Sequence, residues 1–593
     1  MKLLGIFHFP GYPDPSAAVV VDGNVVAFAE EERFVRNKHA TNYFPSRAVD
    51  YVLKEAGLSI TDTDVITTGC DCEAHESGEL AAHFGEINAL YRPSPHDVAY
   101  QKHRLESLTA TRHKRHLTQQ IHKLYGDVKL PDFQFANHHL AHAVMAYFHS
   151  GMDEALVLTI DGSGEWVTTG WWHGRNGQLD LLHEVKTPHS LGWFYSAFTE
   201  YLGFQAYDGE YKVMGLAAYG KPDTQIERAL ADLIWYDGDG GFSSNPAVLT
   251  MGPRTYSNYF PDTLVEHMGR APRAQTDDIQ DWHIDVAYGV QRRLERIVQD
   301  MTRYWTDQTN LRNLCIAGGV GLNVKMNGNL FASGLVDDIF IHPLCADTGM
   351  AIGSAMTLEY QNGGLCPHRL EHVYFGSSYD DAEIERILKA CKLSYCREAS
   401  IEKAVARLLT EGKVVGWFQG RMEGGPRALG SRSILADPRY TESRDRVNAV
   451  IKFREFWRPF CPSMAAEGAS KYLAKHTCSP FMIITFDTEP NAKKEIPAVV
   501  HVDGTSRVQI VSENVNQRYY RLLKEFQDLT GIDVVLNTSF NVKGEPIVCT
   551  PHDALRTFSA TGLDALAIGS FLLVKPQQTD PPNTQHADTS GEE

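Results

Sequence analysis

Apolar residues along this chain fall into short runs closed by glycine, aspartate or proline, and these runs predict the first elements. The opening MKLLGIF reads as a β-strand. In residues 16–34 two β-rich runs flank Asp22-Gly23-Asn24, which predicts a hairpin. Residues 46–58 change to helical spacing, starting near Ser46 and stopping at Gly57. A His- and charge-rich helical region follows, from about 95 to 125. A second strand cluster occupies 154–173, where an apolar run continues through Ile160 and Asp161-Gly162-Ser163-Gly164 closes it with a tight turn. LCIAGGVGLN, 314–323, predicts a third strand and a Gly-rich turn into a helix, and 343–360 again place a loop before a helix.

Strands that each end in a polar or Gly-rich loop describe an α/β nucleotide-binding fold. Their repeated strand–Asp/Gly turn suits the duplicated actin and sugar-kinase type. Residues 363–378, rich in Gly, Pro and Ser, read as a linker between a first domain (1–362) and a second (379–575). The polar, Pro-rich tail 576–593 is predicted to be disordered. A length of 593 residues agrees, being too great for one ordinary core.

Composition changes the picture mainly by exclusion. An apolar content of 43% with 22% charged residues is that of a globular chain, and the net charge of −18 disfavours broad contact with nucleic acid or anionic membrane. No run reaches the roughly 18 apolar residues of a membrane span. The N-terminus lacks a cleavage pattern, and the ten cysteines lack zinc-binding spacing. Reduced thiols in a cytoplasmic enzyme are therefore expected.

Candidate chemistry concentrates in three places. His138 and His142 lie four apart, on one face of a helix, and can share a metal ion. Asp161 and Asp347 sit in loops where α/β ligand sites open, and two His with two Asp suit Fe²⁺, Mn²⁺ or Zn²⁺. His139 points elsewhere and is read as structural. Gly318, Gly319 and Asn323, with Gly162, Ser163, Glu210, Lys212 and Gly215, are candidates to hold a nucleotide at turns and helix starts. In the second domain Arg421, Arg427, Arg432, Lys452, Arg454, Arg458 and Arg507 recur beside glycines, with Asn537 and Ser539 nearby. Guanidinium forks in that setting suggest an anionic ligand.

Blocks such as DGNVVAFAEEERFVRNKH, HHLAHA, IDGSGE, GEYKVMGLAAYG, GRMEGGPRALGSRS, IKFREFWRP, HVDGTSRVQ and VVLNTSFNVKGEPIV resemble the O-carbamoyltransferase family of antibiotic and nodulation-factor biosynthesis. The resemblance runs from about residue 3 to 575. It implies an actin-like ATPase-superfamily domain followed by a YrdC-like α/β domain. The implied reaction consumes carbamoyl phosphate and ATP (with Mg²⁺), forms carbamoyl-adenylate in the second domain and transfers the carbamoyl group in the first to a small-molecule hydroxyl. It also implies His138, His142, Asp161 and Asp347 as ligands of a divalent metal, Fe²⁺ foremost. Arg427, Arg432, Lys452, Arg458, Arg507, Asn537 and Ser539 are implied as the carbamoyl phosphate and adenylate site, and Lys38 as a basic residue near transfer. A homodimer is the analogy for assembly.

One position departs from the family. Pro13 stands where relatives carry the histidine favoured as general base. Either Asp14, His8 or His39 takes that proton, or the metal or the acceptor's own chemistry activates the hydroxyl, or the second step is lost. The competing functions are a non-catalytic ATP-binding scaffold and carbamoyl transfer to a macromolecule.

Overall fold

The computed structural model describes residues 1–249, 260–452, 454–455 and 457–576. The expected disordered tail therefore lies outside the described residues except for Pro576.

Two five-stranded sheets share one design. In the first, β1 (Lys2–Phe7), β2 (Ser16–Val21), β3 (Asn24–Glu30), β4 (Val65–Thr68) and β5 (Asp132–Phe135) follow the order 3-2-1-4-5. The second uses β6 (Glu154–Ile160), β7 (Val167–Arg175), β8 (Gln178–Lys186), β11 (Asn313–Ala317) and β12 (Asp338–Ile341) in the order 8-7-6-11-12. The ribbon β9 (Ile234–Tyr236)–β10 (Phe242–Ser244) stands apart from both sheets. In each sheet the first three strands form an antiparallel meander and the last two join parallel. This doubled order is the actin-like duplication that the repeated turns predicted.

Each fifth strand leads into a buried helix, His138–Ser150 in the first half and Met350–Gln361 in the second, and the two helices pack together between the sheets. Their closeness depends on small residues. A Cβ on Gly5 of β1 would lie 1.7 Å from the Ala351 carbonyl oxygen. Gly318, with φ +94°, brings the turn after β11 onto β6, where a Cβ would fall 2.1 Å from the Ile160 carbonyl oxygen.

The second unit is a mixed eight-stranded sheet. Its strands are β13 (Cys396–Arg397), β14 (Val415–Phe418), β15 (Arg432–Ala436), β16 (Cys461–Ala465), β19 (Gln509–Val511), β20 (Val534–Ser539), β21 (Ala565–Ile568) and β22 (Phe571–Val574), in the order 13-22-21-14-15-20-16-19. A ribbon of β17 (Thr485–Asp487) and β18 (Thr505–Arg507) reaches back to the first unit. There the Thr485 hydroxyl donates to the Val324 carbonyl at 3.2 Å, and the Asn327 amide donates to the Ile483 carbonyl at 2.8 Å.

Residues 363–378 do not hang free as a linker. His368 and Leu370 donate backbone N–H groups to Phe148 and His149 at 2.7 and 2.9 Å, and Val373 and Phe375 are buried. The Gly and Pro content marks the passage between units, but the apolar side chains within it hold the segment down. All ten cysteines are unpaired. Among the described residues no helix is long and apolar enough to cross a membrane.

Candidate active site

His138 and His142 project from the first turns of their helix, which Asn137 caps by accepting the Leu140 N–H at 2.9 Å. Their Nε2 atoms lie 3.2 Å apart. Asp161, in the turn after β6, brings Oδ2 to 3.2 Å from His142 and 3.7 Å from His138. Asp347, in the loop before the second buried helix, stands 3.5 and 3.8 Å from the same rings. A four-coordinate ion with bonds of about 2.1 Å separates its ligand atoms by about 3.4 Å, so the spacing fits a bound divalent cation. His138 Nδ1 faces the Gly69 carbonyl at 3.1 Å, which keeps its proton there and aims the Nε2 lone pair at the cluster. His139 instead bonds Thr159 and Val167 at 2.9 Å each, the structural role expected of it.

Around this cluster the backbone comes unusually close. Asp161 accepts the N–H of Gly162 at 2.7 Å and of Gly319 at 3.0 Å, tying the two predicted glycine turns together. A Cβ on Gly164 would sit 2.8 Å from the His138 Cβ, and one on Gly192 2.6 Å from the Gly162 nitrogen. Gly162, Ser163, Glu210, Gly215, Gly319 and Asn323 all line one cavity of about 460 Å³. Gly318 and Lys212 do not line it: Gly318 sits beneath the turn, and Lys212 pairs with Glu455 at 3.4 Å. Asn323 is already engaged, exchanging hydrogen bonds with Gln291 at 2.9 Å in both directions while capping the helix Val324–Ala332.

Arg427, Arg454, Arg458, Arg507, Asn537 and Ser539 line the opposite side of the same cavity. Burial and the neighbouring Arg507 charge pull Arg427 down to about 9, and burial with Arg458 and Arg507 does the same to Arg454. Arg427 Nε and one Nη have no hydrogen-bond partner. These cations await an anion.

Arg432 and Lys452 behave differently from the set in which they were placed. Arg432 is fully buried over the Phe418 ring and donates to the carbonyls of Gln419, Gly420, Ser431 and Ser377. Lys452, also buried, spends its ammonium on Ser539 and Asn541. Neither lines the cavity; both are held by oxygens of the protein itself. The sequence could not separate them from their neighbours because Arg beside Gly looks alike in both settings.

Lys38 does reach the cavity, paired with Asp208. Beside it the Asp14 carboxylate meets His39 Nδ1 at 2.9 Å, and Asp14 N–H donates to the His39 carbonyl at 2.8 Å. Asp14, His39 and Ala40 all hold positive φ, a strained arrangement that tertiary contacts must sustain. Burial opposes charge on His39, but its hydrogen bond to the Asp14 carboxylate and the nearby Asp208 carboxylate, 3.9 Å from Nε2, outweigh it and push the ring up to about 10. His8 is placed elsewhere, against His116 at 3.1 Å, and burial lowers it to about 3. It does not line the cavity and is set aside as a base.

Several residues escaped the sequence reading. Glu423 accepts the N–H groups of Leu429, Ser431 and Arg432, folding the loop that presents Arg427. Arg33, paired with Glu30 at 2.9 Å and Glu32 at 3.1 Å, donates to the Gly425 carbonyl at 2.8 Å and bolts that loop to the first unit. Charged residues within EEERF and GRMEGG carried the signal, but partners nearly 400 positions apart carried the meaning.

Residues 2–356 match the carbamoyltransferase N-terminus family and residues 406–575 the carbamoyltransferase C-terminus family. The chain belongs to the carbamoyltransferase family. Among similar proteins, nodulation protein NolNO of Sinorhizobium fredii is 36% identical, covering 95% of this chain and 79% of that one. Nodulation protein NolO of Bradyrhizobium diazoefficiens is 39% identical over 74% of this chain and 79% of its own length. The Synechocystis protein sll1178 is 38% identical over 97% of both chains. Solved structures with some likeness include component A of (R)-2-hydroxyglutaryl-CoA dehydratase from Acidaminococcus fermentans, at 14% identity and TM-score 0.32, covering 61% of this chain and 98% of that one. HypF of T. kodakarensis has 11% identity and TM-score 0.30, with 62% and 48% covered. In this carbamoyltransferase the two matched regions supply the two walls of the cavity.

Proposed function

We propose that this carbamoyltransferase is ATP-dependent, uses carbamoyl phosphate as donor, passes through carbamoyl-adenylate and delivers the carbamoyl group to a hydroxyl of a small molecule. The supporting observation is that the His₂Asp₂ cluster and the guanidinium wall open on one cavity. A cavity of that size on a chain of net charge −18 suits a small acceptor better than a nucleic acid.

The phosphates must balance. Water cleaves the P–O bond of carbamoyl phosphate, leaving phosphate and carbamate. A carbamate oxygen then attacks the α-phosphorus of ATP and displaces pyrophosphate. Arg427, Arg454, Arg458 and Arg507 bind the donor and neutralise charge on the phosphoryl oxygens, with Mg²⁺ accompanying ATP. Lys452 holds the Ser539–Asn541 turn in place beneath them.

The acceptor oxygen next attacks the carbamoyl carbon, the bond to AMP breaks, and the acceptor proton passes to Asp14. Because His39 is held charged and cannot accept, Asp14 is the member of this pair left to receive a proton. This pairing replaces the imidazole that Pro13 cannot supply. The glycine turns at Gly162 and Gly319, with Ser163 and Glu210, hold the adenylate on the first unit's side. A divalent ion bound by His138, His142, Asp161 and Asp347 would supply a Lewis acid there, and the mixed nitrogen and oxygen set suits Fe²⁺, Mn²⁺ or Zn²⁺.

The test is release of pyrophosphate and phosphate from ATP and carbamoyl phosphate with no acceptor present. Equal release of both, dependent on carbamoyl phosphate and abolished by Arg458→Ala, is expected. Folded, metal-loaded protein that releases no pyrophosphate would refute the reading and point to a scaffold.

A further inference from the structure

The two halves of the first unit also differ in the connection between their fourth and fifth strands. In the second half, 318–337 contain one α-helix, Val324–Ala332. In the first half, 69–131 contain four: Cys72–Ser77, Glu79–Leu90, Pro95–Ser107 and Ala110–Tyr125. The extra helices do not merely decorate the surface. The third of them carries Arg104 into the cavity wall, beside Tyr12, Trp193 and the Gly162-Ser163 turn.

Arg104 is only 5% exposed, yet its hydrogen-bond partners among the described residues are uncharged. One Nη donates to the Gly164 and Glu165 carbonyls at 2.9 and 3.0 Å and to His75 at 3.3 Å; the other reaches the Tyr100 hydroxyl at 3.4 Å. His75 is kept neutral by burial, which lowers it to about 4. The Glu165 carboxylate turns away to the N–H groups of Asp71 and His138 and the amide of Asn137. Arg104 Nε is buried without a hydrogen-bond partner. The Glu165 carboxylate supports the charge from a distance, but no carboxylate is hydrogen-bonded to the guanidinium, and its buried Nε is left for an anion. In the proposed reaction the far wall's arginines serve the donor and the backbone N–H groups of the Gly162 and Gly319 turns serve the adenylate, which leaves this cation on the inserted helix for the remaining substrate.

Resting on the reaction proposed above, we infer that the helical insertion between β4 and β5 forms the acceptor subsite, and that the acceptor is a hydroxyl compound bearing an oxyanion, carboxylate or phosphate, which pairs with Arg104. Tyr12 and Trp193 supply flat apolar walls for its carbon frame.

The experiment compares hydroxyl compounds that differ by one anionic group: glucose 6-phosphate with glucose, glycerol 3-phosphate with glycerol, and gluconate with glucitol. Carbamoylated product is measured with carbamoyl phosphate and ATP in excess. In at least one pair the charged member should be favoured at least about tenfold in kcat/KM. Arg104→Gln should bring that ratio toward one, and Arg104→Lys should keep part of it. Neutral members matching charged ones in every pair, a uniform lack of product included, would overturn the inference, as would an unchanged preference in Arg104→Gln. The wild-type comparison stands even where the variant fails to fold. Wild-type pyrophosphate release without acceptor separates the two failures: its absence refutes the proposed reaction, whereas release without charge preference refutes the subsite alone.

Discussion

On the first unit's wall two carboxylates and two imidazoles gather with every His–Asp distance between 3.2 and 3.8 Å, whereas on the second unit's wall Arg427, Arg454, Arg458 and Arg507 face one cavity together. The first wall mixes acceptors and donors, so a cation can complete it. The second is buried and also repels itself, and burial first, then the neighbouring arginines, lower Arg427 and Arg454 to about 9. Self-repulsion is a preorganised state: an anion entering between the walls relieves it and needs little rearrangement. Behind the second wall there is a further contrast, because protein oxygens meet the Lys452 ammonium and both Nη groups of the equally buried Arg432.

The sharpest way to break this comparison is to remove a ligand from the first wall. His142→Ala should abolish stoichiometric metal, measured by elemental analysis, and lower carbamoyl transfer at least about 100-fold. Retained metal and activity would mean that the cluster is ordinary packing. On the second wall, Arg454→Met should lower carbamoyl phosphate-dependent pyrophosphate release roughly 10- to 100-fold while raising the unliganded thermal midpoint by about 2 °C, because a repelling charge is gone. Lys452→Met should instead lower the midpoint, since it orphans oxygens on Ser539 and Asn541 at a cost of about 1–3 kcal/mol. Midpoints moving the same way in both variants would erase the distinction between waiting and structural cations.

The smallest effect concerns the Asp14–His39 corner. His39 is raised from 6.5 to about 10, so its stabilising contribution is full below pH 6.5 and is lost as pH rises through 10. His39→Gln should therefore flatten the decline in thermal midpoint between those two values. Parallel declines in variant and wild type would show that the ring is not charged in the folded state.

The doubled α/β plan, the HxxxH pair, Asp161 and the arginine-rich second unit were legible locally, because strand runs, helix spacing and Gly turns are short-range signals. Asp347 was read from its loop before a helix and Lys38 only through resemblance, and the structure brings both to the cavity. Arg104 was invisible, being one basic residue in a charge-rich helical stretch. Its burial follows from an insertion whose extent appears only against the other repeat. Glu423 and Arg33 likewise gain their roles from a loop and a helix that meet across the two units.

By itself, then, the sequence determined which elements form, where their turns fall and which residue types stand at those turns. Only the tertiary structure decided which charges are satisfied and which remain unspent. It left Arg432 and Lys452 bonded to carbonyls, put Arg427 and Arg454 on the cavity wall, and set His39 rather than His8 beside Asp14. Hydrogen-bond satisfaction and desolvation depend on partners distant along the chain, and no local pattern encodes them.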